Sequence, residues 1–169
     1  MLQAYERLSI AQQQSQGIQS GDIQDSVTMD FDTRQKARIK TVTDGGQDIG
    51  IFVERGHPIK VGETLKTECG LFLGVKGANE PVLTASTDDW LVFSKICYHL
   101  GNRHTRVQIG ERWLRIQPDH VLQELIENYG LVIDPQPAVF EPESGAYGKH
   151  GHTHNHSHSH SHEHNHHHK

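Results

Sequence analysis

The last twenty residues, 150–169, hold eleven histidines and no apolar side chain. Such a segment has nothing to bury, so any hydrophobic core must be completed by the residues before it. The histidines run His150, His152, His154, His156 and onward, separated by Gly, Thr, Asn, Ser and Glu. Only His166–His168 form an unbroken triplet, and Lys169 follows. A purification tag is usually an uninterrupted run of one residue, so this spaced pattern reads as native chain. In an extended conformation alternate residues share a side. The tail therefore offers many overlapping sets of imidazole, the commonest protein ligand for late first-row divalent metals. It is expected to be disordered, and ordering it around an ion costs conformational entropy, which keeps each site exchangeable.

The 169 residues leave room for one medium or two small domains besides the tail. With 16 Lys and Arg against 21 Asp and Glu, the net charge is −5. That balance argues against a nucleic-acid partner, which calls for a basic patch. Cys69 and Cys97 are far apart with no Cys-x-x-Cys spacing, so a disulfide framework is not expected and each is read as a small buried hydrophobe. The start, Met1 to Arg7, has no basic n-region or apolar run. No stretch is long enough to span a bilayer. A cytoplasmic protein without membrane contact is the expectation.

Hydrophobic periodicity divides the rest. Residues 11–25 are rich in Gln, Ser and Gly and read as a loop. Val27, Met29 and Phe31, then Ala37, Ile39 and Thr41, then Ile49, Ile51 and Val53 alternate with other residues as strands do. Asp44-Gly45-Gly46 between two such runs predicts a hairpin. After Pro81 the pattern changes. Val82–Ala85 reads as a strand, and a helix follows with Trp90, Phe93, Ile96, Cys97 and Leu100 on one face and Gly101 just past its end. Two strands, Arg106–Ile109 and Arg112–Ile116, flank a Gly110-Glu111 turn. Pro118-Asp119 opens a second helix through Tyr129, closed by Gly130, and Leu131–Ile133 is a last strand. The fold class is therefore α+β. An N-terminal all-β domain covers residues 1–77 and a ferredoxin-like β-α-β-β-α-β domain covers 78–139. A linker and the His-rich tail cover 140–169.

Four histidines precede the tail: His57, His99, His104 and His120. His104 follows Gly101-Asn102-Arg103 and is expected on a loop just beyond a helix, positioned but exposed. One imidazole cannot hold an ion securely, but a twofold dimer places the same residue from both chains beside the axis. His120 opens the second helix, where the helix dipole disfavours imidazolium and a neutral ring is left for metal; a plain solvated helix start is the competing role. His99 lies near a helix end that favours the charged form, and His57 precedes Pro58 in a turn. Met1 and Met29 form no cluster suited to soft copper(I). Enzyme motifs are missing: there is no His-Glu-x-x-His, no Gly-x-Ser-x-Gly, and Gly70–Gly77 lacks the Gly-Lys-Ser/Thr of a phosphate loop.

The stretches Tyr98-His99-Leu100-Gly101-Asn102-Arg103-His104, Asp119-His120-Val121-Leu122, Tyr129-Gly130-Leu131 and Phe140-Glu141-Pro142-Glu143-Ser144-Gly145-Ala146-Tyr147, with the His-rich end, resemble the urease accessory nickel-chaperone family. Gly50-Ile51-Phe52-Val53-Glu54-Arg55-Gly56 carries a weaker likeness in the first half. The resemblance implies a peptide-binding-like β domain and a ferredoxin-like metal domain. It also implies a homodimer through the metal domains, and Ni²⁺ delivery to urease apoprotein with an accessory GTPase. His104 matches the family's interfacial metal histidine. His120 matches a peripheral site of some members, whose second histidine is replaced here by Pro118. His150 and His152 match the start of the tail, whose first histidines join the interfacial metal in some relatives, and His154 follows them. The expected function is thus a non-enzymatic nickel metallochaperone. Nickel rather than Zn²⁺ or Cu²⁺ rests on the resemblance, since comparable sites bind all three. The rival is a general nickel or zinc buffer with no dedicated client.

Overall fold

The structure, a computed structural model, describes residues 1–144. The expected disorder of the tail, and its ligands His150, His152 and His154, lie outside the described residues.

Two sheets with separate cores make a mixed α+β protein. The first has six strands: β1 (Leu2–Leu8), β2 (Ile23–Met29), β3 (Arg38–Val42), β4 (Asp48–Phe52), β5 (Thr64–Thr67) and β6 (Phe72–Gly77), in the order β2-β6-β5-β1-β4-β3. β1 runs parallel to β4 and β2 parallel to β6, while the other pairs are antiparallel. The Asp44-Gly45-Gly46 hairpin is present: Val42 pairs with Asp48, and Gly46 takes a φ of 89° that glycine adopts without steric cost. The strands bury one set of alternate residues, Ile39, Ile49, Ile51, Leu65, Leu73 and Val75 among them, in a continuous core.

The first unit is not purely β. Ile10–Ser15 forms a short helix, α1, and Phe31–Arg34 a single helical turn, α2, with a 3-10 turn at Ser20–Asp22. The polar stretch expected as a loop starts as a helix because Ser9 and Gln12 make a reciprocal capping box. Phe31 is not the end of a strand: Asp30 accepts a hydrogen bond from the Thr33 amide and turns the chain into α2.

The second sheet is built from β7 (Leu83–Ser86), β8 (Gln108–Ile109), β9 (Trp113–Ile116) and β10 (Val132–Asp134), all antiparallel, in the order β10-β7-β9-β8. Helices α3 (Trp90–Asn102) and α4 (His120–Asn128) contribute Phe93, Ile96, Leu100, Leu122 and Ile126 to a core shared with Leu83, Ala85, Leu114 and Ile116 of the sheet. Trp90 lies off the buried stripe and is exposed, while Cys97 is half-buried and packs against this core. Burial pushes the Cys97 thiol pKa up. Cys69 is exposed rather than buried.

Residues 140–169 are expected as linker and tail, yet Ala138–Glu143 is a strap bound to both units. Ala138 and Glu80 exchange backbone hydrogen bonds, and Phe140 is fully buried against Phe31 and Val82. Arg34 of α2, 2% exposed, donates to the Phe140 carbonyl (2.6 Å), to the Ile59 carbonyl (3.1 Å) and to the Glu141 carboxylate (3.2 Å). Glu141 Oε1 also accepts from the Val61 amide (2.8 Å). From the second unit, Arg115 donates to the Val139 carbonyl (2.6 Å) and Gln108 Oε1 accepts from the Glu141 amide (3.0 Å). A lone Phe among Pro and Glu becomes the keystone of the junction because a buried guanidinium needs its acceptors.

Candidate metal centre

Helix α3 starts on Asp89, whose carboxylate accepts from the amides of Leu91 and Val92. Gly101, expected just past the helix end, lies inside it; the helix runs to Asn102 and Arg103 is the cap. The turn is then made by His104. Its amide donates to the Gly101 carbonyl (3.0 Å), and the Thr105 amide donates to the Leu100 carbonyl (3.4 Å). This is the paired hydrogen-bond pattern of a Schellman motif, with His104 at the left-handed position that glycine usually holds. Its φ is 54°, and Arg112 is the other described non-glycine residue with positive φ. The left-handed conformation costs an L-residue about 1–2 kcal/mol. Histidine, with Asn and Asp, is among the non-glycine residues that adopt this region most often. The two hydrogen bonds fix the backbone, so the imidazole starts from a rigid base at the mouth of the helix.

The face of α3 that leads to His104 turns away from the core. Leu91 is 63% exposed and Tyr98 66% exposed, seven residues apart and hence on one stripe, with Ser94, Gly101 and Asn102 also exposed beside them. An added Cβ on Gly101 would meet nothing within 4 Å. Another surface could approach this stripe closely. His99 is occupied differently: it is half-buried, its ring 5.4 Å from that of Tyr98 and 5.2 Å from that of Tyr129.

His120 is the first residue of α4, exposed, behind the Asp119 cap that accepts from the Leu122 amide. His57 is exposed in the first unit, and its carbonyl accepts from Arg7. The structure does not gather these side chains. Among the described residues no three His, Cys, Asp or Glu side chains meet as a metal cluster. His104 therefore needs ligands from elsewhere to hold an ion. Also among the described residues, no helix is long and apolar enough to cross a membrane.

The model of the UreE urease accessory protein N-terminal domain matches residues 7–76, and that of the C-terminal domain matches residues 80–168. The chain belongs to the UreE family. Urease accessory protein UreE of Alteromonas mediterranea is 68% identical over 152 residues, spanning 90% of this chain and 94% of that protein. UreE of Psychromonas ingrahamii is 62% identical over 154 residues, spanning 90% and 96%. UreE of Vibrio parahaemolyticus is 41% identical over 132 residues, spanning 75% and 83%. UreE proteins are accessory chaperones of urease maturation rather than enzymes, in keeping with the lack of catalytic motifs in this sequence. The two family matches meet between residues 76 and 80, in the segment that joins β6 to β7.

The feature that sequence reasoning missed is the conformation of His104. Glycine is the usual marker of a left-handed helix end, and the glycine in this stretch sits three residues too early to be the one.

Proposed function

We propose that the protein is a homodimeric nickel metallochaperone that holds Ni²⁺ between two copies of His104. The first tail histidines, His150, His152 and His154, complete the coordination, and the ion passes to urease apoprotein together with an accessory GTPase. The observation that carries this reading is His104 itself: an exposed imidazole on a strained, hydrogen-bonded helix end where glycine would be more stable. The exposed Leu91–Tyr98 stripe supports pairing through α3, because a twofold interface would cover it and bring both His104 rings to one axis.

In this reading residues 1–77 form a peptide-binding-like client domain and residues 78–139 a metal and dimerisation domain of ferredoxin-like type. The element order β-α-β-β-α-β and the strand order β10-β7-β9-β8 support the latter. Residues 140–169 supply the ion-collecting arm in a cytoplasmic setting. His120 serves as an outlying capture ligand. Imidazole sites of this kind also accept Zn²⁺ or Cu²⁺, so in vitro loading with those ions is expected.

Ni²⁺ titration calorimetry on the intact protein and on His104→Ala, with mass measured in parallel, tests the proposal. The expected result is a dimer whose one tight ion is lost in the variant while loose tail binding remains. A tight site that survives His104→Ala would leave a tail-only buffer as the better description.

A further inference from the structure

The six-stranded sheet ends on two edges that differ. At β2 the tip of the β3–β4 hairpin closes over the strand: the Asp44 amide donates to the Ser26 carbonyl (2.7 Å) and the Gly45 amide to the Asp25 carboxylate (3.0 Å). At β3 nothing among the described residues pairs with the outer side of the strand. The Val53 amide donates to the Ala37 carbonyl and the Thr43 amide to the Gln47 carbonyl, which fixes the phase of the β3–β4 ladder. Ile39 and Thr41 therefore bond inward to β4, and the N–H and C=O groups of Arg38, Lys40 and Val42 point out of the sheet. An edge of this kind is a template for one more strand.

The side chains along this edge choose which strand. Arg38 pairs with Phe52 and Lys40 with Gly50, so both cations lie on the exposed face of the sheet, opposite the core-facing Ile39. Arg38 and Arg55 also line one open pocket of about 500 Å³, beside the stacked rings of Tyr5 and Phe52, which leaves room for a carboxylate to reach them. Lys36, Arg38, Lys40 and Arg55 make no ion pair among the described residues, in a chain whose net charge is −5. Against these four stand Glu54 at the pocket and Asp48 opposite Val42.

We infer that β3 is a docking edge for an extended acidic segment of a partner protein, which adds as a strand beside Arg38–Val42. The inference deepens the reading of residues 1–77 as a client domain and rests on it; it makes no use of His104. Main-chain hydrogen bonds hold the segment, and carboxylates facing Arg38 and Lys40 select it. A second copy of β3 fits poorly, because like charges across a ladder are destabilising.

The test uses the full chain labelled with ¹⁵N and two capped seven-residue peptides, one alternating Glu with Val and the other Lys with Val. The Glu peptide is expected to shift the amide resonances of Arg38, Lys40 and Val42 more than those of Ile39 and Thr41, which already bond to β4. The Lys peptide, and the Glu peptide N-methylated at every amide, are expected to leave them in place. The double variant Arg38→Glu with Lys40→Glu should bind the Glu peptide at least about tenfold more weakly and take up the Lys peptide instead, with its Ni²⁺ affinity unchanged. A purely structural role for the two cations would not reverse that preference, and an unreversed preference overturns the proposal. Shifts that fall elsewhere in residues 1–77 overturn the edge and spare the client domain. A Glu peptide that binds nowhere overturns the edge and leaves the client domain unsupported. Shifts at Arg38, Lys40 and Val42 that grow with protein concentration alone assign the edge to a second copy and overturn the acidic partner.

Discussion

Helices α3 and α4 belong to the same unit, contribute to the same core and end in the same hydrogen-bond pattern, but they differ in what they show to the outside. At the end of α4 the Gly130 amide donates to the Glu127 carbonyl (2.8 Å) and the Leu131 amide to the Ile126 carbonyl (3.4 Å), with Gly130 at φ 85°. At the end of α3 His104 takes that place at φ 54° with the equivalent pair of bonds. The outer face of α4 is largely polar, with Glu124, Glu127 and Asn128 exposed and Val121 as the apolar exception, whereas that of α3 carries Leu91 and Tyr98. One helix has the chemistry of an ordinary solvated surface element. The other ends on a non-glycine residue at positive φ and leaves Leu91 and Tyr98 uncovered along a face that also carries Ser94 and Lys95. The difference teaches that the same helix-ending hydrogen bonds can be closed by glycine at φ 85° or, at some backbone cost, by histidine at φ 54°.

The comparison breaks most decisively at the metal. His104→Ala should weaken tight Ni²⁺ binding more than about tenfold, or about 1.4 kcal/mol, while Gly130→Ala leaves it intact; calorimetry separates the two. Next comes assembly: under the proposed pairing through α3, light scattering should find the parent chain dimeric, Tyr98→Glu monomeric, and Glu124→Lys on the polar face of α4 still dimeric. A surviving dimer would remove α3 as the interface.

Exchanging the two helix ends sharpens the contrast in stability. His104→Gly relieves the left-handed cost and should raise Tm by about 3 °C, even as the tight ion is lost, whereas Gly130→His should lower it by a similar amount. Loss of stability in His104→Gly would mean that the imidazole holds the fold together.

The smallest expected effect is the response of the fold to mild acid. Metal binding needs neutral imidazole, so uptake should fall as the pH drops through about 6.5. The fold itself should hold there. Thr43, Thr33 and Ser26 hydrogen-bond Asp25, Asp30 and Asp44 and keep those carboxyls below the usual range. Groups lowered in the folded state contribute stability above their unfolded pKa and lose it as the pH falls through the folded value, below the usual carboxylate range near pH 4. Circular dichroism unchanged from pH 7.5 to 5 while Ni²⁺ is released would separate the two events.

How much of this is legible in the sequence depends on what each element buries. α3 and α4 show a clear 3.6-residue period because each packs one stripe on a sheet, and the Asp44-Gly45-Gly46 hairpin shows because its turn chemistry is local. β1 and β5 are hard to see. β1 carries an irregularity between Ala4 and Glu6 that breaks its alternation, and β5 buries Thr64 and Thr67, whose polarity hides a core strand. The α1 helix buries no residue, so only its cap marks it. The strap is invisible because its partners, Arg34 and Phe140, lie more than a hundred residues apart and no local pattern joins them. At the site, the identity of His104 can be read directly, but its backbone strain cannot.

The bond from Arg34 to Phe140 spans 106 residues, so it has a consequence for biosynthesis. Chains emerge from the ribosome N-terminus first and domains fold as they appear. The six-stranded sheet can close early and give Arg34 the Ile59 carbonyl, yet the guanidinium waits for the Phe140 carbonyl and the Glu141 carboxylate, which are translated after the whole second unit. A nascent or truncated polypeptide lacking Phe140 and Glu141 keeps only the Ile59 carbonyl of the three acceptors that Arg34 uses in the full fold, and the seam where Phe140 would be buried stays open to water.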